Sequence, residues 1–395
     1  MIDGAINIAL LLVILVGLVL VHEFGHFVMA RRAGVTVHEF GVGFPPRAAI
    51  LYRGKQTLYS LNWLPIGGFV RLEGEEGESV DPHAFVNQGL GTRIRILLAG
   101  VAVNFVLAWL IFSFIAMFVD PVTNVRIGEV LPDSPAARAG LVGGVITGQS
   151  EPIDVLGANG EPTGETQTLP LYDDSGDLIV AIDGQRFPVF DGMTATVGLR
   201  QPPLQYLVDQ AGGVVVLTVR HADGTVEDIE ATLRTPAEIE AGLGALGVQI
   251  SALPREDTQN GFVEAAAIGL TRTLEASTLI LRGVGELIGS LLDPGSQVPV
   301  AGPVGIASIV GEVRTSLPPV FMLWFVGLLS ANLAIINILP FPPMDGGRLT
   351  MALVQAASRN RVSPAAERMV YLTGFVLLMA LLVWVTAADI QRLTG

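Results

Sequence analysis

The sequence predicts a polytopic α-helical membrane protein with four transmembrane helices and an inserted extracytoplasmic domain that is mostly β. Three observations predict it. The 395 residues are 50% hydrophobic and only 15% charged, with a mean hydropathy of +0.56, more apolar than an ordinary soluble chain. Four apolar stretches, at about 5–29, 96–119, 320–339 and 369–388, are each long enough to cross ~30 Å of hydrocarbon. Between the second and third, residues 125–235 change to short alternating runs separated by turns such as Asp183-Gly184 and Asp223-Gly224, the pattern of β-strands.

Composition narrows the function. A net charge of −14 argues against nucleic-acid binding. There is no cysteine, so disulfides, thiolate metal sites and Cys nucleophiles are excluded, and any metal must be held by His, Asp, Glu or Asn. Residues 120–319 hold 26 acidic side chains against 10 basic ones, which leaves the rest of the chain slightly positive.

The first span reads as a retained helix rather than a signal peptide. It has Asp3 and no basic residue ahead of it, no small-residue cleavage pattern behind it, and Arg31 and Arg32 at its far end. It carries His22-Glu23-Phe24-Gly25-His26. Ionisable groups inside hydrocarbon are costly and default to a functional reading. Two histidines four residues apart share one helix face, the spacing with which two imidazoles grip one metal ion, and Glu23 lies where a general base is needed.

The segment after span 1 carries Arg31, Arg32, Arg47, Arg53, Lys55, Arg71, Arg93 and Arg95, and the segment after span 3 carries Arg348, Arg359, Arg361 and Arg368. The positive-inside rule makes both segments cytoplasmic and both termini extracytoplasmic, with residues 120–319 also outside. Span 1 then runs inward, so a third ligand is expected from the inner end of another span. Span 3 runs inward too, into Asn337-Ile338-Leu339-Pro340-Phe341-Pro342-Pro343-Met344-Asp345-Gly346-Gly347. Three prolines in four residues break the helix, and broken backbone at membrane depth is tolerated only inside protein or along a cavity. His22, His26 and Asp345 thus make a candidate zinc triad with a fourth position for water. Asn337 is a candidate carbonyl or oxyanion donor, while Asn332 and Asn104 read as interhelical hydrogen-bonding residues. His38, His83 and His221 read as ordinary surface residues.

With both motifs in view, the chain resembles the site-2 protease family of intramembrane zinc metalloproteases, in its bacterial branch of the regulator of sigma-E protease type. The family pattern H-E-x-x-H is matched by His22–His26, and N-x-x-P-x-P-x-L-D-G by Asn337–Gly346 with Met344 in place of Leu. Gly43-Phe44 with Leu61–Leu72, containing Gly67 and Gly68, is similar to the family's reentrant β-hairpin region, about 43–72, which the resemblance implies presents a strand edge to substrate. Ala99–Asn104 resembles A-G-P-x-x-N, with Val101 replacing Pro, and Gly302–Ala307 matches G-P-x-G-I-A.

Val130–Leu141, followed by Gly176–Gly184, resembles a PDZ domain interrupted at about 142–175 by an insert rich in Gly, Pro, Glu and Asp, which reads as a polar excursion or mobile loop. The reading is a single PDZ copy over 125–235, acting as a size filter or docking surface. Residues 236–319 are expected to form an extracytoplasmic linker that includes an amphipathic helix, 262–292, lying on the outer membrane surface or following a reentrant course. The membrane core then comprises 1–120 and 320–395.

The expectation is an intramembrane zinc metalloendopeptidase of the inner (plasma) membrane that cleaves single-span proteins such as anti-sigma factors or remnant signal peptides. Glu23 would be the base, Asn337, Gly67 and Gly68 would hold substrate, and the active site would face the cytoplasm. The bilayer and a peptide ligand of the PDZ domain are expected partners, and nucleic acid is not. The alternatives are a metal transporter or sensor, which would need polar residues in several spans and usually an inverted repeat, and a catalytically silent PDZ scaffold.

Overall fold

In the computed structural model the described residues are 2–75, 79–156, 162–190, 202–241, 243–292, 301–358 and 363–394. They form two compact units, one of residues 1–116 with 261–395, the other of residues 117–260.

The first unit opens with α1 (Ile2–Arg32), whose last turn carries Arg31 and Arg32, cations placed where the helix end is partially negative. It stops at Gly34, φ +78°, with the Val35 N–H returning to the Ala30 carbonyl at 2.9 Å, the left-handed glycine cap of many helix ends. Strands β1 (Val37–Arg53) and β2 (Leu58–Leu72) follow, then α2 (Leu90–Phe118). The remaining helices are α3 (Phe262–Leu292), α4 (Pro303–Ser316), α5 (Pro319–Ile338), α6 (Asp345–Ala357) and α7 (Pro364–Thr394). Among the described residues, four helical stretches are long and apolar enough to cross a membrane: Gly4–Arg32, Leu90–Phe118, Pro319–Ile338 and Ala365–Arg392.

The sheet is not one simple hairpin. Glu39–Val42 are paired twice, with Leu58–Leu61 on one side and with Gly68–Arg71 on the other, while Arg47–Arg53 pair with Leu58–Asn62. It begins at Val37, six residues before the expected region. Glu39, only 3% exposed, accepts hydrogen bonds from Arg47 and from Ser60 Oγ, the latter at 2.7 Å, so one buried carboxylate joins three stretches of the sheet. Gly68 packs on α1, where an added Cβ would come 2.9 Å from Leu20 Cδ2.

Residues 262–292 form one continuous helix that packs on other helices of the unit. Trp109 Nε1 of α2 donates to the Ala266 carbonyl at 2.9 Å, and Gly269 meets Ser113 without room for a Cβ. Arg272, Thr273 and Ser277 are buried, a polar stripe turned inward, while Glu264, Glu275, Arg282 and Glu286 are exposed. At the start of α4, both carboxylate oxygens of Asp389 in α7 accept backbone N–H groups, from Gly302 at 3.1 Å and Gly305 at 2.8 Å, satisfying donors that a helix N-terminus leaves open.

The second unit is built on a five-stranded antiparallel sheet in the order β11 (Val226–Thr232), β10 (Val214–Arg220), β9 (Leu178–Ile182), β4 (Val125–Val130), β12 (Val248–Ala252). Short helices at Pro135–Arg138 and Pro202–Asp209 accompany it. Its core includes Val125, Ile127, Ile182, Val215, Leu217 and Val219. Ser134 caps the first helix, its Oγ accepting the Ala137 N–H at 3.1 Å. Two boundaries differ from the sequence reading. The sheet extends to β12, and β3 (Asp120–Thr123) pairs with β13 (Arg255–Thr258), so the unit reaches residue 260; these edge strands are too short for alternation to mark them. The insert forms two-stranded ladders, β5 (Ile146–Gln149) with β8 (Pro170–Tyr172) and β6 (Ile153–Leu156) with β7 (Pro162–Gln167), where a loop was expected.

Candidate metal centre

His22 and His26 lie on consecutive turns of α1 and are 5% and 8% exposed. Asp345 arrives at them because the chain breaks after α5. The Phe341 N–H bonds back to the Leu339 carbonyl at 2.7 Å and the Met344 N–H to the Phe341 carbonyl at 3.0 Å, and α6 then starts at Asp345. Gly346 and Gly347 seat that first turn on the broken stretch. A Cβ on Gly346 would come 2.2 Å from the Ile338 and Leu339 carbonyl oxygens, and one on Gly347 2.7 Å from Pro342 N. Only glycine allows this approach.

The resulting donor set is compact. Asp345 Oδ2 is 2.9 Å from His22 Nε2 and 3.0 Å from His26 Nε2, and the two imidazole nitrogens are 3.1 Å apart. Among the described residues this is the one group of three or more His, Asp or Glu side chains able to share an ion. Three donors at ~2.0–2.1 Å from one tetrahedral ion stand about 3.3 Å apart, close to the observed triangle. The tautomers agree with this. His26 Nδ1 lies 2.8 Å from the Ile96 carbonyl of α2, so it carries the proton and leaves the Nε2 lone pair facing its neighbours. Two imidazole nitrogens and a carboxylate oxygen at such separations call for a positive charge among them. The residues fit zinc.

Helix α2 closes the other side. A Cβ on Gly100 would stand 2.5 Å from His26 Nε2 and 2.8 Å from His22 Nε2, and a Cβ on Gly25 would stand 2.5 Å from the Ala99 carbonyl oxygen. The helices cross here through a glycine from each. Gly25 and Gly100 were present in the sequence motifs but not singled out; two glycines flanking an H-E-x-x-H crossing are the signal that could have found them.

Glu23 is partly buried beside His22 and close enough to interact electrostatically with both histidines and Asp345, and its side chain makes no hydrogen bond among the described residues. Asn337 is partly buried in the last turn of α5, likewise with no side-chain hydrogen bond among the described residues. Gly67 (φ +73°) and Gly68 sit against Phe44, Val19 and Leu20, one turn before His22. Of the three remaining histidines, His83 is an exposed surface residue as expected, while His38 and His221 are partly buried against carboxylates. His38 is 2.5 Å from Glu73, His83 is 3.2 Å from Asp81, and His221 Nδ1 is 2.7 Å from the buried Asp177.

Comparison with known proteins agrees with this geometry. The profile of peptidase family M50 matches residues 10–381. The zinc metalloprotease RasP of Geobacillus kaustophilus is 26% identical, covering 99% of this chain and 99% of its own length. The regulator of sigma E protease of Salmonella typhi is 28% identical, covering 98% and 99%. A match over nearly the whole chain, on a protein with four membrane-grade helices and a buried His-His-Asp triangle, places this protein in peptidase family M50, the site-2 proteases.

Proposed function

We propose that this zinc metalloprotease cleaves the transmembrane segments of single-span membrane proteins, anti-sigma factors and remnant signal peptides among them, at a site on the cytoplasmic side of the inner membrane. The observation that carries the reading is the triangle of His22, His26 and Asp345 on helices of membrane grade. The arginine-rich segments next to these helices support the inward position of the site, with both termini and the second unit outside.

His22, His26 and Asp345 would hold zinc, which when bound would supply a Lewis acid for the peptide carbonyl and for water at neutral pH. Glu23 accepts the proton of the attacking water and delivers it to the leaving amine. His26 is held in its ligating tautomer by Ile96. Asn337 donates to the substrate carbonyl. The substrate helix has to unwind first, since its own hydrogen bonds occupy the carbonyls.

Strand addition holds the unwound segment, and the register of the sheet says where. Glu39–Val42 are bonded on both sides, so an added strand docks on an outer edge, Arg47–Arg53 or Gly68–Leu72. The sheet carries exposed Phe44, Ile50, Leu51, Tyr52, Leu61, Trp63 and Leu64, an apolar surface suited to a reentrant course in lipid, and Gly67 and Gly68 let its backbone approach α1. The motif order and the five-stranded sheet with short helices support reading the second unit as a PDZ domain, one that screens substrates by size or docks an extended peptide.

The test uses purified full-length protein and a single-span substrate in liposomes. Cleavage within the transmembrane segment, lost on chelation and restored by zinc, is expected. An intact substrate with zinc-loaded protein would overturn the reading.

A further inference from the structure

Glu75 stands three residues past the end of β2, and both of its carboxylate oxygens are engaged. Oε2 accepts the Leu72 N–H at 3.1 Å, and Oε1 is in direct contact with the Arg348 guanidinium. Arg348 lies in the first turn of α6, three residues beyond Asp345. A cation is poorly placed there, because the N-terminal end of a helix is itself partially positive, so an anionic partner is required. The pair is shielded on the acid side, with Glu75's side chain 17% exposed and Arg348's 41%. The neighbouring Leu349 packs against the apolar cluster that contains Val70 and Leu72 of β2. The end of the strand and the start of α6 are therefore joined twice, by charge and by apolar contact, and α6 is the helix that opens with the metal-site carboxylate.

We propose that Glu75 and Arg348 are positioning residues that fix the register between the β2 edge and Asp345, and so select which peptide bond of an unwound substrate meets the metal. The inference rests on the proteolytic reading above and adds to it a determinant of cleavage position. The length scales favour it. Successive residues of an added strand are ~3.4 Å apart, and a misplacement of about 1 Å can cost roughly a hundredfold in rate. A contact that pins the strand end to the ligand helix thus decides between adjacent bonds. Neither residue is placed against substrate or metal.

The experiment maps the cut in a single-span substrate by the masses of both fragments, with full-length wild type, Glu75→Gln, Arg348→Gln and Arg348→Lys, and measures zinc content alongside. Glu75→Gln keeps an acceptor for Leu72 while losing the charge. Expected are one dominant bond for wild type and Arg348→Lys, cleavage spread over neighbouring bonds with about a tenfold loss of kcat for the two Gln variants, and equal zinc in all four. Wild-type cleavage position and rate in both Gln variants would overturn the proposal. Zinc loss in step with activity would also overturn it, since the pair would then support the metal site alone. A wild-type protein that leaves the transmembrane segment uncut would overturn the proteolytic reading and the inference with it.

Discussion

Gly100 of α2 lies so close to His26 of α1 that a Cβ added to it would stand 2.5 Å from the imidazole Nε2. No side chain fits between α2 and the donor atoms, and Gly25 makes the reciprocal approach to the Ala99 carbonyl. Gly100→Ala is therefore expected to displace the histidines and cut zinc occupancy by at least about tenfold, with overpacking costing ~1–3 kcal/mol locally. Gly17→Ala, where nothing lies within 4 Å, is the matched control and should bind zinc normally. Metal content of the two purified variants decides the matter.

Glu23→Gln should retain zinc, because the three donor atoms belong to His22, His26 and Asp345. Cleavage should fall by about 10²–10⁴, the contribution of a positioned acid–base group. Zinc stoichiometry measured beside turnover separates this outcome from collapse of the site.

Asp345→Asn should behave in the opposite way. The carboxylate oxygen it removes is within 3.0 Å of both imidazoles, and a neutral amide is a far poorer partner for a dication. Loss of both zinc and activity is expected, while the secondary-structure content holds because the glycines that seat α6 are untouched.

The second unit should carry a pH-dependent stability. The hydrogen bond from His221 to the buried Asp177 carboxylate raises the imidazole pKa, and the carboxylates of Asp177, Glu227 and Asp223 add to it. Because the folded state favours the charged ring, the stabilisation is complete below the ordinary value of about 6.5 and is lost as pH rises through the raised one. Asp177 also accepts the Val142 N–H at 2.8 Å where the insert leaves. Hydrogen exchange around Val142, corrected for intrinsic rate, should slow as pH is lowered from about 8.5 to about 6. His221→Asn should flatten that difference.

Much of this was legible in the residues themselves. Helical spacing put His22 and His26 on one face, and the Pro340–Pro343 break with Gly346-Gly347 announced a carboxylate brought to a neighbouring helix. Length and hydropathy located the four spans. What escaped depended on partners distant in sequence. Nothing local marks Ile96 as the carbonyl that orients His26, Arg348 as the partner of Glu75, or Asp177 as the partner of His221. Gly, Pro and acidic residues give the insert the sequence character of a loop by lowering strand propensity, yet backbone pairing forms its ladders. In the helix Phe262–Leu292 nothing local distinguishes Arg272, which the fold buries, from Glu264, Glu275, Arg282 and Glu286, which it leaves exposed.

Asp389 gives the last helix a duty its apolar composition conceals. Its two oxygens hold the amides of Gly302 and Gly305, so α7 serves as a keystone for the segment that leads into α5. Shortening the C-terminus should be harmless as far as Asp389 and disruptive once it is removed, a sharp step rather than a slope in any truncation series. Reporter fusions belong after it.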